Sequence, residues 1–272
     1  MSPAKIAALP MYDFPELRED TDALWAKLAK SLTDAGVDDV PEALSRDRDH
    51  VEIWRDPNLL LAQACEYPLA AGLAGAVQLV ATPIYKAQGC AGALYRSAIV
   101  VSRYEPGHTL SDMRGLRCAV NESSSNSGMN LLRAAVAPLS GNGRAFFESV
   151  TVSGSHRRSL EMIAEDKADL AAIDCVTWAH LQRVAPQLTR DLRVLAWTDA
   201  SPSLPLVTAA HTDAPTLQAL RSALFEAMND PSLEPVCERL FLSGFDFFPD
   251  ATFGRVRQLA AGAAALGYAE IA

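Results

Sequence analysis

The stretch Leu116-Arg117-Cys118-Ala119-Val120-Asn121-Glu122-Ser123-Ser124-Ser125-Asn126-Ser127-Gly128-Met129-Asn130-Leu131-Leu132-Arg133-Ala134-Ala135-Val136 decides how the chain is read. A short apolar run, Leu116–Val120, enters a turn dense in hydroxyl and amide side chains. An apolar pattern at helical spacing leaves it from Met129 onward. The stretch therefore reads as strand, turn, helix. The first turn of a helix carries unpaired N–H groups and a partial positive charge. Hydroxyls gathered there make a neutral, donor-rich cup for an anion.

Working outward, strand and helix patterns alternate on both sides. Upstream lie a strand at Ile6–Leu9, a helix over Pro15–Ala35 stopped by Gly36, a strand at Val51–Trp54, a helix over Asn58–Cys65 and a strand at Val77–Val80. An alternating β-branched run, Ser97–Val101, precedes the opening stretch. Downstream come Val150–Val152, a helix after His156, the buried run Asp169–Ile173, a helix over Cys175–Val184 and strands at Leu192–Trp197 and Leu206–Ala210. The last of these is read as the final strand, followed by helices over Thr212–Met228, Leu233–Phe241 and Ala251–Leu266. Such alternation predicts an α/β fold with parallel sheets. Ligands of open α/β sheets sit at the carboxyl ends of strands. That rule gathers Tyr12, Tyr85, Ser123–Ser127, His156, Asp174 and Ser201 onto common rims.

The chain has 272 residues, 49% of them apolar, with a net charge of -9. Its pI is about 5.1. That length fits one large or two modest α/β units. The acidic balance argues against wrapping nucleic acid or a membrane surface, which needs basic faces. No run reaches the ~20 apolar residues of a membrane span. The first residues lack a secretory core, so the reading is a cytoplasmic protein or an exported one whose leader was removed. Cys65, Cys90, Cys118, Cys175 and Cys237 follow no metal-site spacing. Reduced, mostly buried thiols are expected, with Cys65 and Cys90 a conceivable pair. No cofactor or metal is implied.

Catalytic templates fit poorly. The chain lacks a G-x-S-x-G elbow, an H-E-x-x-H pair, a phosphate-binding G-x-x-x-x-G-K-[ST] loop and a G-x-G-x-x-G turn. Ser125, His156 and Asp174 could be named as a triad, but any polar cleft satisfies that cheaply. The bland alternatives stay open: the Ser cluster and Asp174 as helix caps, and the tyrosines as ordinary rim aromatics.

Three stretches, with a fourth beside them, together resemble one family. Leu110-Ser111-Asp112-Met113-Arg114-Gly115-Leu116-Arg117-Cys118-Ala119-Val120-Asn121 resembles the lead-in of type II periplasmic binding proteins. Ser125-Asn126-Ser127-Gly128 is similar to the Ser-Thr-Ser-Gly anion loop of their phosphate, phosphite and phosphonate subgroup. Ser153-Gly154-Ser155-His156-Arg157-Arg158-Ser159-Leu160, then Ala168–Asp174, resembles that subgroup's His segment, and Thr82-Pro83-Ile84-Tyr85 its Tyr segment. Asn126 and Glu122 stand where the subgroup usually carries Thr and Pro.

The resemblance implies a two-lobe fold, each lobe a mostly parallel sheet flanked by helices, with two crossovers. Lobe one would span residues 1–102 and 203–272, and lobe two residues 103–202. It implies capture of a small oxyanion in the interlobe cleft by lobe closure, without chemistry, for an ABC permease, by a monomer. Ser124, Ser125, Asn126, Ser127, Gly128 and His156 would hold the oxyanion. Asp174 would read the ligand's other end, and Tyr85 would close from the first lobe; Tyr12 and Tyr67, at a strand end and a turn, are further candidates for ligand contact from their positions in the sequence. Two other readings use the same fold. One is a leaderless enzyme like the lyases of menaquinone or thiamin pathways, with Cys65 or Cys175 as thiol. The other is an intracellular sensor domain.

Overall fold

The computed structural model describes residues 4–73, 75–141, 144–247 and 254–272. Among the described residues, ten strands build two five-stranded sheets. In chain order they are β1 (Ile6–Ala8), β2 (Leu59–Gln63), β3 (Val77–Tyr85), β4 (Ser97–Ser102), β5 (Arg117–Val120), β6 (Ser149–Val152), β7 (Leu170–Asp174), β8 (Leu192–Trp197), β9 (Leu206–Ala209) and β10 (Leu242–Asp246). One sheet has the order β1-β2-β9-β3-β10 and the other β6-β5-β7-β4-β8.

The chain divides into two compact units. The first holds Met1–Lys86, Ala91–Ala93 and Pro202–Phe253; the second holds Ala87–Cys90, Leu94–Ser201 and Gly254–Ala272. This corrects the boundaries expected from sequence in two places. Strand β4 belongs to the second unit, because it lies between β7 and β8, antiparallel to both. The C-terminal segment also belongs there. Ala263 and Tyr268 lie in the second unit's apolar core with Ile99, Val120 and Phe146. The carbonyl of Ala272 accepts from the N–H groups of Phe146 (2.7 Å) and Phe147 (3.1 Å).

Among the described residues of the first unit only β1 and β2 pair parallel; β9 pairs antiparallel with β2 and β3, and β10 antiparallel with β3. Its sheet is therefore mixed rather than mostly parallel. In this sheet β9 lies between β2 and β3, although it follows both in the chain. In the second unit β5 pairs parallel with both β6 and β7, and β4 alone runs against its neighbours.

Local sequence accounts for most elements. The helix Arg18–Asp34 buries Leu24, Trp25, Leu28 and Leu32 along one face. It ends where Gly36 takes φ +79° and the Val37 N–H reaches back to the Leu32 carbonyl at 3.0 Å, a left-handed stop that glycine permits. Two elements are exchanged relative to the sequence reading. Val51–Trp54 lies in a helix, His50–Arg55, because Asp49 accepts from the N–H groups of Val51 and Glu52. Residues 59–63 form strand β2, buried throughout; a short continuous apolar run does not distinguish strand from helix. The strand β10 was read as part of the helical C-terminal region. The start of the expected Ala251–Leu266 helix and the end of the Pro138–Gly143 loop fall outside the described residues. Among described residues, no helix is long and apolar enough to cross a membrane.

Candidate functional site

In the second unit the carboxyl ends of β5, β6 and β7 and the amino end of the antiparallel β4 share one edge of the sheet. The loops after β5 and β6 are joined there by backbone bonds. The Ser153 N–H donates to the Val120 carbonyl (2.8 Å) and the Gly154 N–H to the Asn121 carbonyl (2.9 Å). This stitching sets the Ser-rich turn beside the helix His156–Ala164.

The turn starts a helical segment, Asn126–Asn130 running into Leu131–Val136. Ser125 is its cap, with Oγ accepting from the Gly128 N–H at 3.0 Å. Ser127 Oγ lies 2.8 Å from His156 Nε2 and 3.4 Å from Ser125 Oγ. Ser97, on β4, donates its hydroxyl to the Ser127 carbonyl at 2.9 Å and so fixes the turn from below. The first N–H groups of a helix have no partner within it. Among the described residues, the N–H groups of Asn126 and Ser127 make no hydrogen bond.

Gly128 is required by space. A Cβ there would come within 1.8 Å of Asn121 Oδ1 and 3.2 Å of His156 Cε1. The glycine lets the helix start pack directly on these two side chains.

His156 opens its helix and is half-buried. Burial pulls its pKa from 6.5 down to about 4, against the upward pull of the Ala172 backbone carbonyl. At neutral pH the ring is therefore uncharged. The turn is a cup of neutral dipoles: one hydroxyl, one imidazole nitrogen and the helix-start N–H groups.

Asn126 stands apart from its neighbours. Its side chain is 0% exposed, and all of its hydrogen-bonding capacity faces inward. Nδ2 donates to Tyr95 Oη (3.0 Å) and Ser201 Oγ (2.8 Å), and Oδ1 accepts from Asn130 Nδ2 (2.9 Å). Asn130 Oδ1 in turn accepts from the buried Arg133 guanidinium at 2.8 Å. A polarised amide chain thus runs from an internal cation to the floor of the cup. The expectation that the Asn126 side chain holds ligand gives way to a structural role; only its N–H faces outward in hydrogen-bonding terms.

Ser124 is exposed, with its hydroxyl 3.4 Å from the Glu122 carboxylate, and it takes no part in the Ser127–His156 contact. Asp174 is 2% exposed. Its Oδ1 accepts from the Val176 (2.8 Å) and Thr177 (3.0 Å) N–H groups and caps the helix Cys175–Val184. That engagement favours the cap reading over recognition of a ligand's other end.

The first unit holds the tyrosines. Tyr12 and Tyr85 meet edge to face, with ring centroids 5.2 Å apart, and Tyr85 Oη accepts from Gln63 Nε2 at 2.9 Å. These three residues and Thr21 are the polar lining of a mostly apolar cavity that includes Leu9, Leu28 and Phe245. Tyr67 lies in the helical turn Glu66–Pro68 and is not among that cavity's lining residues. Tyr95, Ser97 and Gln63 are the residues that sequence reasoning missed. Ser97 opens β4, which runs against its neighbours, and Tyr95 lies two residues before it in the short strand Leu94–Tyr95; the direction of β4 brings this part of the chain to the loop edge.

The thiol of Cys175 does not suit the enzyme reading. It is buried, and both its contact with Cys90 and desolvation push its pKa up, which disfavours a thiolate.

The family model described as "ABC transporter, phosphonate, periplasmic substrate-binding protein" matches residues 6–253. No curated protein matches the chain by sequence. Among solved structures, a binding-protein component of an ABC phosphonate transporter from Pseudomonas aeruginosa superposes with a TM-score of 0.76 at 17% identity, covering 97% of this chain and 87% of that one. PhnD1 from Prochlorococcus marinus, in complex with methylphosphonate, gives 0.74 at 14% identity over 95% and 97%. XAC2383 from Xanthomonas citri, bound to chloride ion, gives 0.73 at 18% identity over 97% and 98%. At these identities the structures are similar in fold alone.

Proposed function

The chain belongs to the family of periplasmic substrate-binding proteins of ABC phosphonate transporters, and on that premise we propose that its second unit captures a small oxyanion of the phosphonate, phosphite or phosphate type. The observation that carries this reading is the 2.8 Å contact between Ser127 Oγ and His156 Nε2 at a helix start whose first N–H groups are unengaged. A neutral His156 keeps the cup free of a fixed charge. Oriented N–H and O–H dipoles hold an anion without a countercharge at the contact, and the amide chain from Arg133 adds a buried positive end behind them.

Ser127 Oγ and the N–H groups of Asn126 and Ser127 supply the donors, and His156 Nε2 sets the Ser127 hydroxyl from 2.8 Å. Ser125 and Gly128 shape the turn. The Asp174 carboxylate is engaged at its helix, so an amine on the ligand is not required by this site. A ligand of the methylphosphonate kind, bound by the relative from Prochlorococcus marinus, fits that description. The mechanical part of the proposal is closure of the two units over the ligand, in a monomer that delivers it to a permease on the periplasmic side. Titration calorimetry with phosphate, phosphite, methylphosphonate and aminoethylphosphonate tests the ligand class. Failure of the folded protein to bind any of the four would reject it.

A further inference from the structure

The five cysteines all carry free thiols, yet two of them are in contact. Cys90 Sγ and Cys175 Sγ lie 3.4 Å apart, across a sequence separation of 85 residues. Cys175 is fully buried at the start of the helix Cys175–Val184, while Cys90 is partly exposed at the end of the short segment Ala87–Cys90. The approach is built into the backbone. Gly89 takes φ +102°, and a Cβ there would fall 2.7 Å from Trp197 Cζ3 and 2.9 Å from Cys175 Cβ. Glycine lets the segment lie directly on Cys175 and Trp197, and that sets the next residue's sulfur on its partner. In sequence Cys65 and Cys90 are a conceivable pair; the geometry places Cys175 against Cys90.

We propose that Cys90 and Cys175 are a dithiol site that closes to an intramolecular disulfide on exposure to a disulfide oxidant. Sulfurs already in van der Waals contact need only a short displacement to bond, since disulfide formation requires side chains within reach and suitably directed. Access is asymmetric. The exposed Cys90 loses its proton to solvent, and its thiolate attacks one sulfur of the oxidant's disulfide, releasing one oxidant thiolate. Cys175 then attacks Cys90 Sγ as its proton passes to the departing second oxidant thiolate, which leaves as a thiol. One S–S bond and two S–H bonds break; one S–S bond and two S–H bonds form on protonation of the released thiolates. The oxidising compartment in which the family works favours the closed form. The bond would anchor Ala87–Cys90 to the helix that follows β7, inside the second unit. It is independent of which ligand the protein binds.

The test uses the whole protein, first reduced, then equilibrated with oxidised glutathione and trapped with iodoacetamide in denaturant. The expected product is lighter by two hydrogen atoms before alkylation and takes up alkyl groups at Cys65, Cys118 and Cys237 only. Proteolysis then yields a peptide linking Cys90 to Cys175, and dithiothreitol abolishes it. The oxidised form also melts several degrees above the reduced form, as closure of a long loop predicts. Full alkylation of both cysteines after oxidation, a stable glutathione adduct on Cys90, or a link from Cys90 to any other cysteine would overturn the proposal. C175S, purified folded by circular dichroism, should hold glutathione on Cys90 with no internal link; an internal link in that variant would equally overturn it.

Discussion

Ser127 Oγ and His156 Nε2, 29 residues apart in sequence, meet at 2.8 Å because two neighbouring parallel strands deliver their loops to one edge. Neither residue makes a site alone: the serine lies on a helix start that any cap would provide, and the histidine opens another helix. Their contact turns two helix starts into one cup. Replacing Ser127 by Ala should weaken oxyanion binding by about 1–3 kcal/mol, the scale of one hydrogen bond to a charged partner. Calorimetry on the folded variant reads this directly, and unchanged affinity would move the site elsewhere.

The charge state of His156 gives a pH prediction. Its folded value of about 4 lies below the ordinary 6.5. As pH falls, the unfolded chain takes this proton before the folded one does. The stability it contributes is therefore whole above about pH 6.5 and is lost progressively toward pH 4. Between pH 7 and pH 5 the loss should be about 2 kcal/mol. Urea unfolding at the two values, repeated with His156→Gln, isolates it: the variant should lose less between them by about that amount. Equal losses would contradict a depressed value.

Asn126 separates structure from binding. Asn126→Ala removes the partner of Tyr95, Ser201 and Asn130 at once, all of them buried. It should cost about 2–4 kcal/mol of stability, the scale of several buried polar groups left unmade. Chemical denaturation of Asn126→Ala beside Ser127→Ala should rank the first as much the less stable. The reverse ranking would return Asn126 to the ligand set.

Gly128→Ala should displace Asn121 and His156 together, given the 1.8 Å and 3.2 Å approaches of a Cβ. Overpacking on this scale costs about 1–3 kcal/mol. Adding Asn121→Ala to Gly128→Ala should recover part of the lost stability in denaturant unfolding, because it removes the nearer obstacle. A double variant no better than the single would mean the glycine acts otherwise.

The C-terminal segment offers a stability test away from the cup. Tyr268 is 2% exposed in the second unit's core, and its hydroxyl accepts from the Ala272 N–H at 2.9 Å. Tyr268→Ala should destabilise the protein by about 3–5 kcal/mol through the cavity left by a large buried aromatic. Denaturant unfolding checks it; a change below about 1 kcal/mol would detach the segment from that core.

Much of this was legible in the residues. Leu116–Val136 reads as strand, turn and helix, and forms them. The helix Arg18–Asp34 follows from its leucine spacing and its glycine stop. Ser127 and His156 stood out as hydroxyl and imidazole after successive strands. What was not legible depends on partners distant in sequence. Whether Asn126 faces ligand or core is set by Tyr95 and Ser201, 31 and 75 residues away. Strand direction moved Ser97–Ser102 to the second unit, and a tyrosine near the last residue brought the tail with it. Leu59–Gln63 misread as helix because an apolar run buried on every side carries no period.

The central claim is that the Ser127–His156 cup holds the oxyanion. A crystal structure of the whole protein with methylphosphonate tests it most directly. The account predicts ligand oxygens within hydrogen-bonding distance of Ser127 Oγ and the Ser127 N–H, with the Asn126 side chain still bonded to Tyr95 and Ser201. An ordered ligand that touches neither Ser127 nor His156 would contradict it.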